Sequence, residues 1–326
     1  MATQLNPALA RLWIADNARQ YGYRKALAVT DLTEPKQRLL DYFELGLTAA
    51  QRKTLPELAK ADTHEVDSLE KRIQSVLWNS PTGLSQQDVE TRFAEIARVL
   101  LQGSDPLQIK NLRKAKSVFI EKLDATGLTI SKALALAGIG RQISTDQTRV
   151  SQADISELGY LQAQLGIPRV RAAQAIVGKD LQLHSRISST FDSVSLAVLL
   201  TSDITNPASY QTWLARDVAH LAIVFDEEGV EVSPLVVPGK TSCLGCYEKY
   251  RLEHTPHWPV IAPQLLALDR SLADSAMLLF ASGVVVNQAL NYLDLEIVES
   301  NALRLNRDGT MLSYTPEAAN CGCRAL

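Results

Sequence analysis

The sequence has no run of apolar residues long enough to cross a membrane. Its 326 residues are 46% hydrophobic, yet no stretch reaches the roughly 18 uninterrupted apolar residues that a membrane-spanning helix needs. The first residues, Met1 to Trp13, contain no basic segment followed by an apolar core, so they do not resemble a secretion signal. These absences predict a cytoplasmic protein that makes no contact with a membrane.

The sequence also lacks an excess of basic charge and the short motifs of several enzyme classes. Its formal net charge of -3 argues against non-specific binding of nucleic acid. It contains no GxSxG elbow, no HExxH and no complete Walker loop. Asp203, Asp226 and Glu227 stand at the ends of predicted strands and are interpreted as turn residues, because their spacing indicates no acid and base pair.

Only four cysteines are present, and they fall in two tight pairs. One pair is Cys243-Leu-Gly-Cys246 and the other is Cys321-Gly-Cys323. Disulfides do not persist in the cytoplasm, so clustered cysteines there indicate metal binding or redox chemistry. Zinc accepts four thiolates at tetrahedral corners about 2.3 Å away. We therefore predict that Cys243, Cys246, Cys321 and Cys323 bind one structural zinc ion, which leaves no open position for catalysis.

The short spacers between the paired cysteines contain glycine. Gly245 and Gly322 are predicted to supply the tight backbone of two zinc knuckles, because glycine tolerates positive φ. Three other interpretations stay open at this point. In the first, the cysteines are reduced and hold no metal. In the second, Cys243 and Cys246 are a redox pair of the kind found in thioredoxin-like units. In the third, His254 or His257 replaces one cysteine as a ligand.

Residues 1–80 form a small separate unit in this interpretation. Short alternating stretches predict three strands, and apolar residues at helical spacing predict three helices after them. This order is winged-helix-like. Residues 81–116 are assigned to a linker with a helix over Gln86–Leu101. The predicted strands are Leu9–Ala15, Gln20–Tyr23 and Lys25–Leu32, and the predicted helices are Glu34–Glu44, Thr48–Lys60 and His64–Trp78.

From residue 117 the pattern changes to alternating strands and helices, which predicts an α/β domain over residues 117–326. It begins with a strand at Val118–Leu123, a helix that ends before Gly138, and a strand at Arg141–Thr145. Asp146 follows, at the place where an acidic residue meets a ribose in nucleotide-binding folds. The later strands are predicted at Ser195–Leu200, Ala219–Phe225, Val230–Val237, Leu295–Leu305 and Met311–Tyr314, and the later helices at Ser209–Asp217 and Gln264–Tyr292.

The turn after the first strand of this domain is poor in glycine. Phosphate-binding turns need glycines so that the backbone approaches the phosphates closely. Here the stretch is Leu123-Asp-Ala-Thr-Gly-Leu128, which retains only Gly127, while Asp124 adds a negative charge where phosphate would lie. Arg169 and Arg171 lie farther along the chain and are interpreted as solvated. The sequence therefore predicts a degenerate Rossmann-type domain that does not bind ATP at this turn.

Several segments together resemble one protein family. The most specific similarity lies in Thr241-Ser-Cys-Leu-Gly-Cys-Tyr-Glu-Lys-Tyr-Arg251, followed by Pro256-His-Trp-Pro259. These segments resemble the partner proteins of azoline-forming cyclodehydratases, which have the ThiF-like fold of ubiquitin-activating-type adenylating enzymes. The resemblance spans nearly the whole chain. Its other parts are Cys321-Gly-Cys323, which resembles the last zinc knuckle of the family, Ala137-Gly-Ile-Gly140 with Asp146, and Leu165–Ala172.

The resemblance implies that the N-terminal unit recognises the leader segment of a ribosomal precursor peptide. In that family the leader adds as an extra strand to the third strand of the unit and lies against its third helix, by ordinary β-augmentation. On this sequence the strand is Lys25–Thr30. The peptide-binding residues expected from the resemblance are Lys25, Ala26, Leu27, Ala28, Val29, Leu69, Ile73 and Leu77.

The resemblance also implies that the chemistry resides in a separate protein. A YcaO-type enzyme uses ATP to activate a backbone amide, so that a Cys, Ser or Thr side chain attacks and loses water to form an azoline. We therefore expect this chain to be a non-catalytic scaffold that delivers the peptide and stimulates that enzyme. A flavin-dependent azoline dehydrogenase is a further expected partner. Because ThiF-like folds commonly pair, a homodimer through the apolar run Ala276–Leu290 is expected.

Two rival functions remain. The first is an adenylating enzyme that activates the C-terminus of a carrier protein, which needs a nucleotide site that Asp124 and Ala125 oppose. The second is a winged-helix regulator with a sensor domain. The acidic net charge and the small basic footprint of Lys71 and Arg72 count against it.

Overall fold

The computed structural model describes most of the chain and divides it into two compact units. It describes residues 2–24, 26–80, 92–178, 181–183, 193–268 and 270–316, together with Cys321 and Cys323. The first unit is Met1–Asn111 and the second is Leu112–Leu326. Lys25, Gly322 and residues 81–91 lie outside the described residues, so the predicted linker helix is described only from Phe93.

Two small antiparallel sheets form part of the first unit. Their strands are β1 (Ala2–Leu5), β2 (Arg11–Ala15), β3 (Ala18–Tyr21), β4 (Leu27–Val29), β5 (Leu47–Thr48) and β6 (Leu77–Ser80). β1 lies between β5 and β6 in one sheet, whereas β2, β3 and β4 form a meander in the other. The three predicted N-terminal strands are therefore confirmed close to their expected positions, but β1, β5 and β6 were missed.

Short helices follow and interrupt these strands. They are α1 (Glu34–Leu45), α2 (Ala49–Lys53), α3 (Leu55–Ala59), α4 (Thr63–Ile73), α5 (Phe93–Leu101) and α6 (Pro106–Ala115). Thr48 begins α2 as predicted, and its side chain accepts a hydrogen bond from the Gln51 N–H. The prediction of one helix over Thr48–Lys60 is wrong. Pro56 has no N–H to continue the hydrogen bonds of α2, so the chain breaks at Thr54 and restarts as α3.

The third predicted helix, His64–Trp78, ends earlier than predicted. α4 stops at Ile73 and a short 3-10 turn leads into β6. Leu77 therefore lies in a strand, paired with Leu5 of β1. Helical periodicity cannot reveal this pairing, because the two strands come from opposite ends of the N-terminal sequence. Leu69 and Ile73 are 4% and 0% exposed and pack in the core of the first unit.

A mixed sheet forms the centre of the second unit. Its strands are β7 (Ser117–Ile120), β8 (Arg141–Ser144), β9 (Leu181–Leu183), β10 (Leu196–Ser202), β11 (His220–Phe225), β12 (Gly229–Val232), β13 (Ala302–Asn306) and β14 (Met311–Tyr314). Their order across the sheet is β14-β13-β12-β11-β10-β7-β8-β9. The neighbours from β9 to β11 are parallel, whereas β12, β13 and β14 are antiparallel to their neighbours. Chain order reverses between β7 and β10, which makes a topological switch point there.

Helices connect the strands of the second unit. They are α7 (Ala125–Ala137), α8 (Arg169–Val177), α9 (Pro207–Leu214), α10 (Leu244–His254), α11 (Trp258–Leu266) and α12 (Ser275–Leu295). The prediction of one helix over Gln264–Tyr292 is wrong, because two helices divide this range. α12 begins after Asp274, whose carboxylate accepts hydrogen bonds from the N–H groups of Ala276 and Met277.

The longest helix, α12, has the length and hydropathy of a membrane span. An 18-residue window of it has a mean hydropathy of 1.4, and 50% of that window is buried inside the unit. It packs against α7 and β12, and core helices commonly have the same composition. Because α12 continues to Leu295, the predicted strand over Leu295–Leu305 begins only at Ala302.

A buried ion pair joins three segments of the second unit. Arg113 binds the Asp294 carboxylate through Nε at 2.9 Å and Nη2 at 2.6 Å. Its Nη1 donates to the carbonyl of Ala137 at 2.8 Å. Both charged side chains are only 3% exposed. The pair therefore links α6, the end of α7 and the end of α12.

Candidate functional site

The four cysteines come together in the second unit. Their sulfur atoms all lie within 4.8 Å of one another. Cys243 Sγ lies 4.0 Å from Cys246 Sγ and 3.7 Å from Cys321 Sγ, and Cys246 Sγ lies 3.3 Å from Cys323 Sγ. A tetrahedron with metal–sulfur distances of about 2.3 Å has edges of about 3.8 Å. The four thiols therefore have the spacing of a single zinc site.

Two separate segments supply the cysteine pairs. Cys243 is the N-cap of α10 and Cys246 lies in its first turn. The loop before them is held by Thr241, whose hydroxyl accepts a hydrogen bond from the Val237 N–H at 2.8 Å. The second pair follows β14, and all four cysteines pack against one hydrophobic cluster that includes Trp213. The cysteine cluster thus brings the segment after β14 to the start of α10.

Gly245 serves this cluster by lacking a side chain. It lies within α10 and is not among the residues with positive φ, so the prediction of a positive φ there is wrong. A Cβ at this position would lie 3.3 Å from Cys243 Sγ and 3.9 Å from both Cys321 Sγ and Tyr210 Oη. Glycine therefore leaves room for the converging sulfur atoms.

The donor set fits zinc. The described cluster contains four cysteines and no histidine. His254 instead stacks on Tyr250 with ring centroids 4.1 Å apart, and His257 is the N-cap of α11. Burial raises the pKa of the Cys243 and Cys246 thiols, so zinc binding would release protons. When bound, zinc would supply a cross-link between the two cysteine pairs, with no position left for water or substrate.

An aspartate side chain closes the turn after β7. Asp124 is the N-cap of α7, and its carboxylate accepts hydrogen bonds from the Thr126 and Gly127 N–H groups, both at 3.0 Å. A bound phosphate takes such N–H groups at a helix N-terminus. The turn is also tightly packed, since a Cβ on Gly127 would lie 1.9 Å from the Lys122 carbonyl oxygen. The carboxylate therefore stands where a phosphate would bind.

Asp146, at the position predicted for a ribose contact, is bonded to the protein itself. Its carboxylate accepts a hydrogen bond from the Leu123 N–H at 2.8 Å. Arg169 lies 3.6 Å from that carboxylate and pairs with Asp154 at 2.6 Å. The interpretation of Arg169 as solvated is wrong, because its side chain is only 15% exposed, whereas Arg171 is exposed. Arg169 thus completes an ion cluster beside the end of β8.

A crevice of about 310 Å³ lies at the topological switch point. It includes Glu121 and Lys122, which follow β7, and Asn206, which precedes α9. Two of these polar side chains already accept hydrogen bonds from main-chain N–H groups of the protein. Glu121 accepts a hydrogen bond from the Leu200 N–H at 3.0 Å, and Asn206 accepts one from the Ala208 N–H at 2.9 Å. Ligands of open α/β sheets bind in crevices of this kind, so this is the site where nucleotide binding has to be tested.

A larger cavity of about 490 Å³ lies beyond the ends of β10 and β11. Arg270 binds Asp203 through hydrogen bonds of 2.8 and 2.6 Å, and Arg304 binds Asp226 through bonds of 2.8 and 2.9 Å. Asp226 also accepts a hydrogen bond within its predicted turn, from Gly229 N. Both aspartates are therefore partners in ion pairs as well as residues at strand ends. The aromatic lining of the cavity consists of Tyr250, Trp258 and Tyr314.

Glu231 is the buried carboxylate of this cavity. It is 2% exposed, it accepts a hydrogen bond from Tyr314 Oη at 2.6 Å, and Arg251 Nη2 lies 3.4 Å away. Burial raises the pKa of Glu231, and the charge of Arg251 opposes that rise. Glu231 was not predicted as a site residue, although a glutamate inside the apolar stretch Val230–Val237 is a signal for a buried charge.

The described residues of the predicted peptide-binding strand lie at an edge of the meander. β4 pairs with β3 on one side and with no strand on the other, within the described ranges. Ala26 and Ala28 are exposed, Leu27 is half-buried, and Val29 is 1% exposed. Val29 thus points into the core of the first unit while its neighbours face outward. The assignment of peptide contacts to these residues stays a prediction.

The sequence by itself matches no family profile and no curated protein. Solved structures do match. E. coli MccB with AMPCPP and MccA has a TM-score of 0.72 at 13% identity and covers 98% of each chain. The microcin C7 biosynthetic enzyme MccB in complex with N-formylated MccA has a TM-score of 0.70 at 12% identity, over 99% of this chain and 100% of that one. PaaA has a TM-score of 0.62 at 16% identity, over 82% and 97%.

The chain has the MccB fold. The predicted α/β architecture, with a large mixed sheet, is confirmed at this level. Identities of 12–16% show a shared fold alone. A structure of E. coli MccB with ATP is also similar to this chain. Since only the fold is shared, nucleotide binding by this chain depends on its own residues.

Proposed function

We propose that this chain binds the leader of a ribosomal precursor peptide and presents that peptide to a separate enzyme. The enzyme is of the YcaO type and uses ATP to form azoline rings from Cys, Ser or Thr residues, and a flavin-dependent azoline dehydrogenase acts after it. The observation that carries the proposal is the edge of β4 that pairs with no other strand in the described part of the chain. We assign recognition to residues 1–80 as a winged-helix-like domain, residues 81–116 to a linker, and residues 117–326 to the ThiF-like domain.

The direction of the peptide groups on β4 supports strand addition. Along β3 and β4, Arg19 lies opposite Val29, Gln20 opposite Ala28, and Tyr21 opposite Leu27. The carbonyl of Ala28 accepts a hydrogen bond from a side chain outside the meander, so it points away from β3. In an antiparallel strand the N–H and C=O of one residue point to the same side. Ala28 therefore offers both groups to an added strand, as β-augmentation requires.

The closed turn after β7 supports a non-catalytic role. Asp124 occupies the N–H groups of Thr126 and Gly127, and its charge would repel a phosphate at this place. In this proposal ATP is bound by the partner enzyme. The four cysteines hold one structural zinc ion that stabilises the second unit. MccB, whose fold this chain shares, has been solved in complex with MccA, which favours a peptide as the ligand.

We further propose that the protein acts in the cytoplasm as a homodimer. The exposed positions of α12 include Ala276, Leu279, Gly283 and Asn287, and their spacing of three to four residues places them on one face of the helix. This largely apolar face lies within the run Ala276–Leu290. Sedimentation equilibrium of the full chain would give twice the mass of the monomer if this pairing is correct.

Replacing Ala28 by proline is the test of the proposed function. Proline removes the outward N–H and places a ring on the free edge, and an edge strand tolerates proline where its N–H faces solvent. We expect the full-length Ala28→Pro protein to bind a precursor leader peptide about tenfold or more weakly than wild type does, because at least one main-chain hydrogen bond is lost. Fluorescence anisotropy of a labelled leader measures this.

The matched control is Ala28→Val, which keeps the N–H and favours a strand. It should bind the leader as the wild type does. Circular dichroism would check that both variants fold. Equal affinity of the proline and valine variants would contradict strand addition at β4, and the absence of any binding by the wild type would contradict leader recognition itself.

Adenylation is the second candidate function. The crevice at the topological switch point favours it, because it contains Lys122 and MccB has been solved with ATP. An adenylating enzyme would exchange pyrophosphate into ATP when the isolated chain is given its peptide. A scaffold would show no exchange alone, and ring formation, seen as loss of one water per ring, would require the YcaO-type partner. Pyrophosphate exchange by the isolated chain therefore distinguishes the two functions.

A further inference from the structure

Arg72 covers the free edge of β4. This arginine lies near the end of α4 and is exposed. Its Nη2 lies 3.5 Å from the Ala28 carbonyl oxygen and 3.2 Å from Thr30 Oγ1, and its Nη1 lies 3.3 Å from the Thr30 carbonyl oxygen. The contacted carbonyls belong to alternate residues and therefore point to the same side of the strand. The guanidinium thus occupies the place where the N–H groups of an added strand would bind.

These contacts are weak and can be exchanged. Their distances lie at or beyond the long end of the usual 2.7–3.2 Å range for N–H to O hydrogen bonds. They join a full positive charge to neutral carbonyls, and no ion pair joins Arg72 to a carboxylate within the described residues. A carboxylate is a stronger partner for a guanidinium than a carbonyl is, because both partners are charged and the pairing can use two parallel bonds. An acidic peptide would therefore attract Arg72 away from the edge.

The opposite edge of the meander is less suited to strand addition. β2 has a register shift against β3 between Trp13 and Ala15, and bulges of this kind bend an edge strand and interrupt its row of hydrogen-bonding groups. β4 pairs with β3 in regular register. The edge at β4 is thus shielded by the side chain of Arg72, whose weak contacts can be exchanged. The edge at β2 is protected by a fixed distortion of its backbone.

We propose that Arg72 selects peptides that carry an acidic residue close to the segment that adds as a strand to β4. On binding, the N–H groups of the peptide replace Arg72 at the carbonyls of Ala28 and Thr30, and the released guanidinium pairs with a carboxylate of the peptide. Arg72 then determines specificity in the complex, and it shields the edge of β4 when no peptide is bound. This inference rests on the proposed peptide binding at β4.

A charge-reversal selection tests the inference. A random peptide library displayed on phage is selected against three full-length proteins: wild type, Arg72→Glu, and Lys71→Glu as the control at the neighbouring exposed position. We expect wild type and Lys71→Glu to enrich peptides with Asp or Glu at one position. Arg72→Glu should lose that preference and enrich Lys or Arg there.

A double-mutant cycle with one selected peptide measures how strongly Arg72 and the acidic residue of the peptide interact. Changing its acidic residue to the corresponding amide should weaken binding to wild type by about tenfold or more, as for a hydrogen bond to a charged group. The same change should have little effect on Arg72→Ala, which isolates the pairing between the two side chains. Arg72→Lys should restore only part of the effect, because lysine lacks the planar fork of arginine.

The outcomes separate the inference from the function on which it rests. Selected peptides that show no acidic preference, and that bind Arg72→Glu as well as wild type while Ala28→Pro abolishes their binding, would overturn the role of Arg72 alone. If the wild type selects no peptide at all, or if Ala28→Pro leaves binding unchanged, the proposed recognition at β4 fails, and the inference fails with it.

Discussion

Replacing Cys243 by serine should abolish binding of the proposed zinc ion and lower the free energy of unfolding of the second unit by several kcal/mol. The four sulfur atoms have the spacing of one tetrahedral site, and a structural zinc ion contributes about 10–16 kcal/mol to the folding of small zinc domains. Serine offers a poor ligand in place of a thiolate, so a large part of that contribution is lost. Metal analysis should find about one zinc per wild-type chain and much less in the variant.

Urea unfolding followed by circular dichroism measures the loss of stability. The matched control is Cys321→His, because three thiolates and one imidazole also form structural zinc sites, and Cys321 is only partly buried. This variant should keep zinc and most of the stability. If the wild type retains its full unfolding free energy after chelation of the metal, the structural role of the site is wrong.

Replacing Asp294 by alanine should lower the free energy of unfolding by about 3–5 kcal/mol. The substitution removes the carboxylate that both Nε and Nη2 of the buried Arg113 bind, so the cost of keeping this guanidinium out of water is much less well compensated. The double variant Arg113→Met, Asp294→Leu should regain most of the stability, because apolar side chains fill the site without any charge. The Ala137 carbonyl, which Arg113 also binds, loses its partner in that variant, so recovery should be incomplete.

An exposed ion pair in the same unit provides the comparison. Glu227 lies 3.1 Å from Arg270 and its side chain is 75% exposed. Glu227→Gln should therefore change the unfolding free energy by at most about 1 kcal/mol. Urea unfolding curves of the three variants give all these values. Similar losses for Asp294→Ala and for the double variant would mean that the cost arises from packing and that the buried charge of Arg113 is unimportant.

The second unit was easier to predict from sequence than the first. Its strands Leu196–Ser202 and His220–Phe225 each contain a run of five apolar residues, as expected for parallel strands covered on both faces. The cysteine pairs were equally clear, because two short spacings fix two ligands each. In the first unit Leu77 was assigned to a helix. Its strand exists only through pairing with β1, and such a long-range contact leaves no periodic signal nearby.

The polar contacts of the second unit could not be predicted for a different reason. Arg169 looked like a helix-surface residue, yet it pairs with Asp154 and Asp146, which come from separate loops. Glu231 is buried beside Arg251 and Tyr314, and these partners are distant in sequence. Spacing identifies ligands that are close along the chain. It does not identify ion pairs that only the packing of several elements brings together.

The cover of β4 has a consequence for the behaviour of the protein at high concentration. An open sheet edge can pair with the edge of another molecule and start aggregation. A proline or a bulge would prevent this but would also prevent a peptide from adding. Under the proposal Arg72 meets both needs, because it adds charge to the edge and a suitable peptide displaces it. Solubility of the empty protein and recognition of its peptide would then depend on the same side chain.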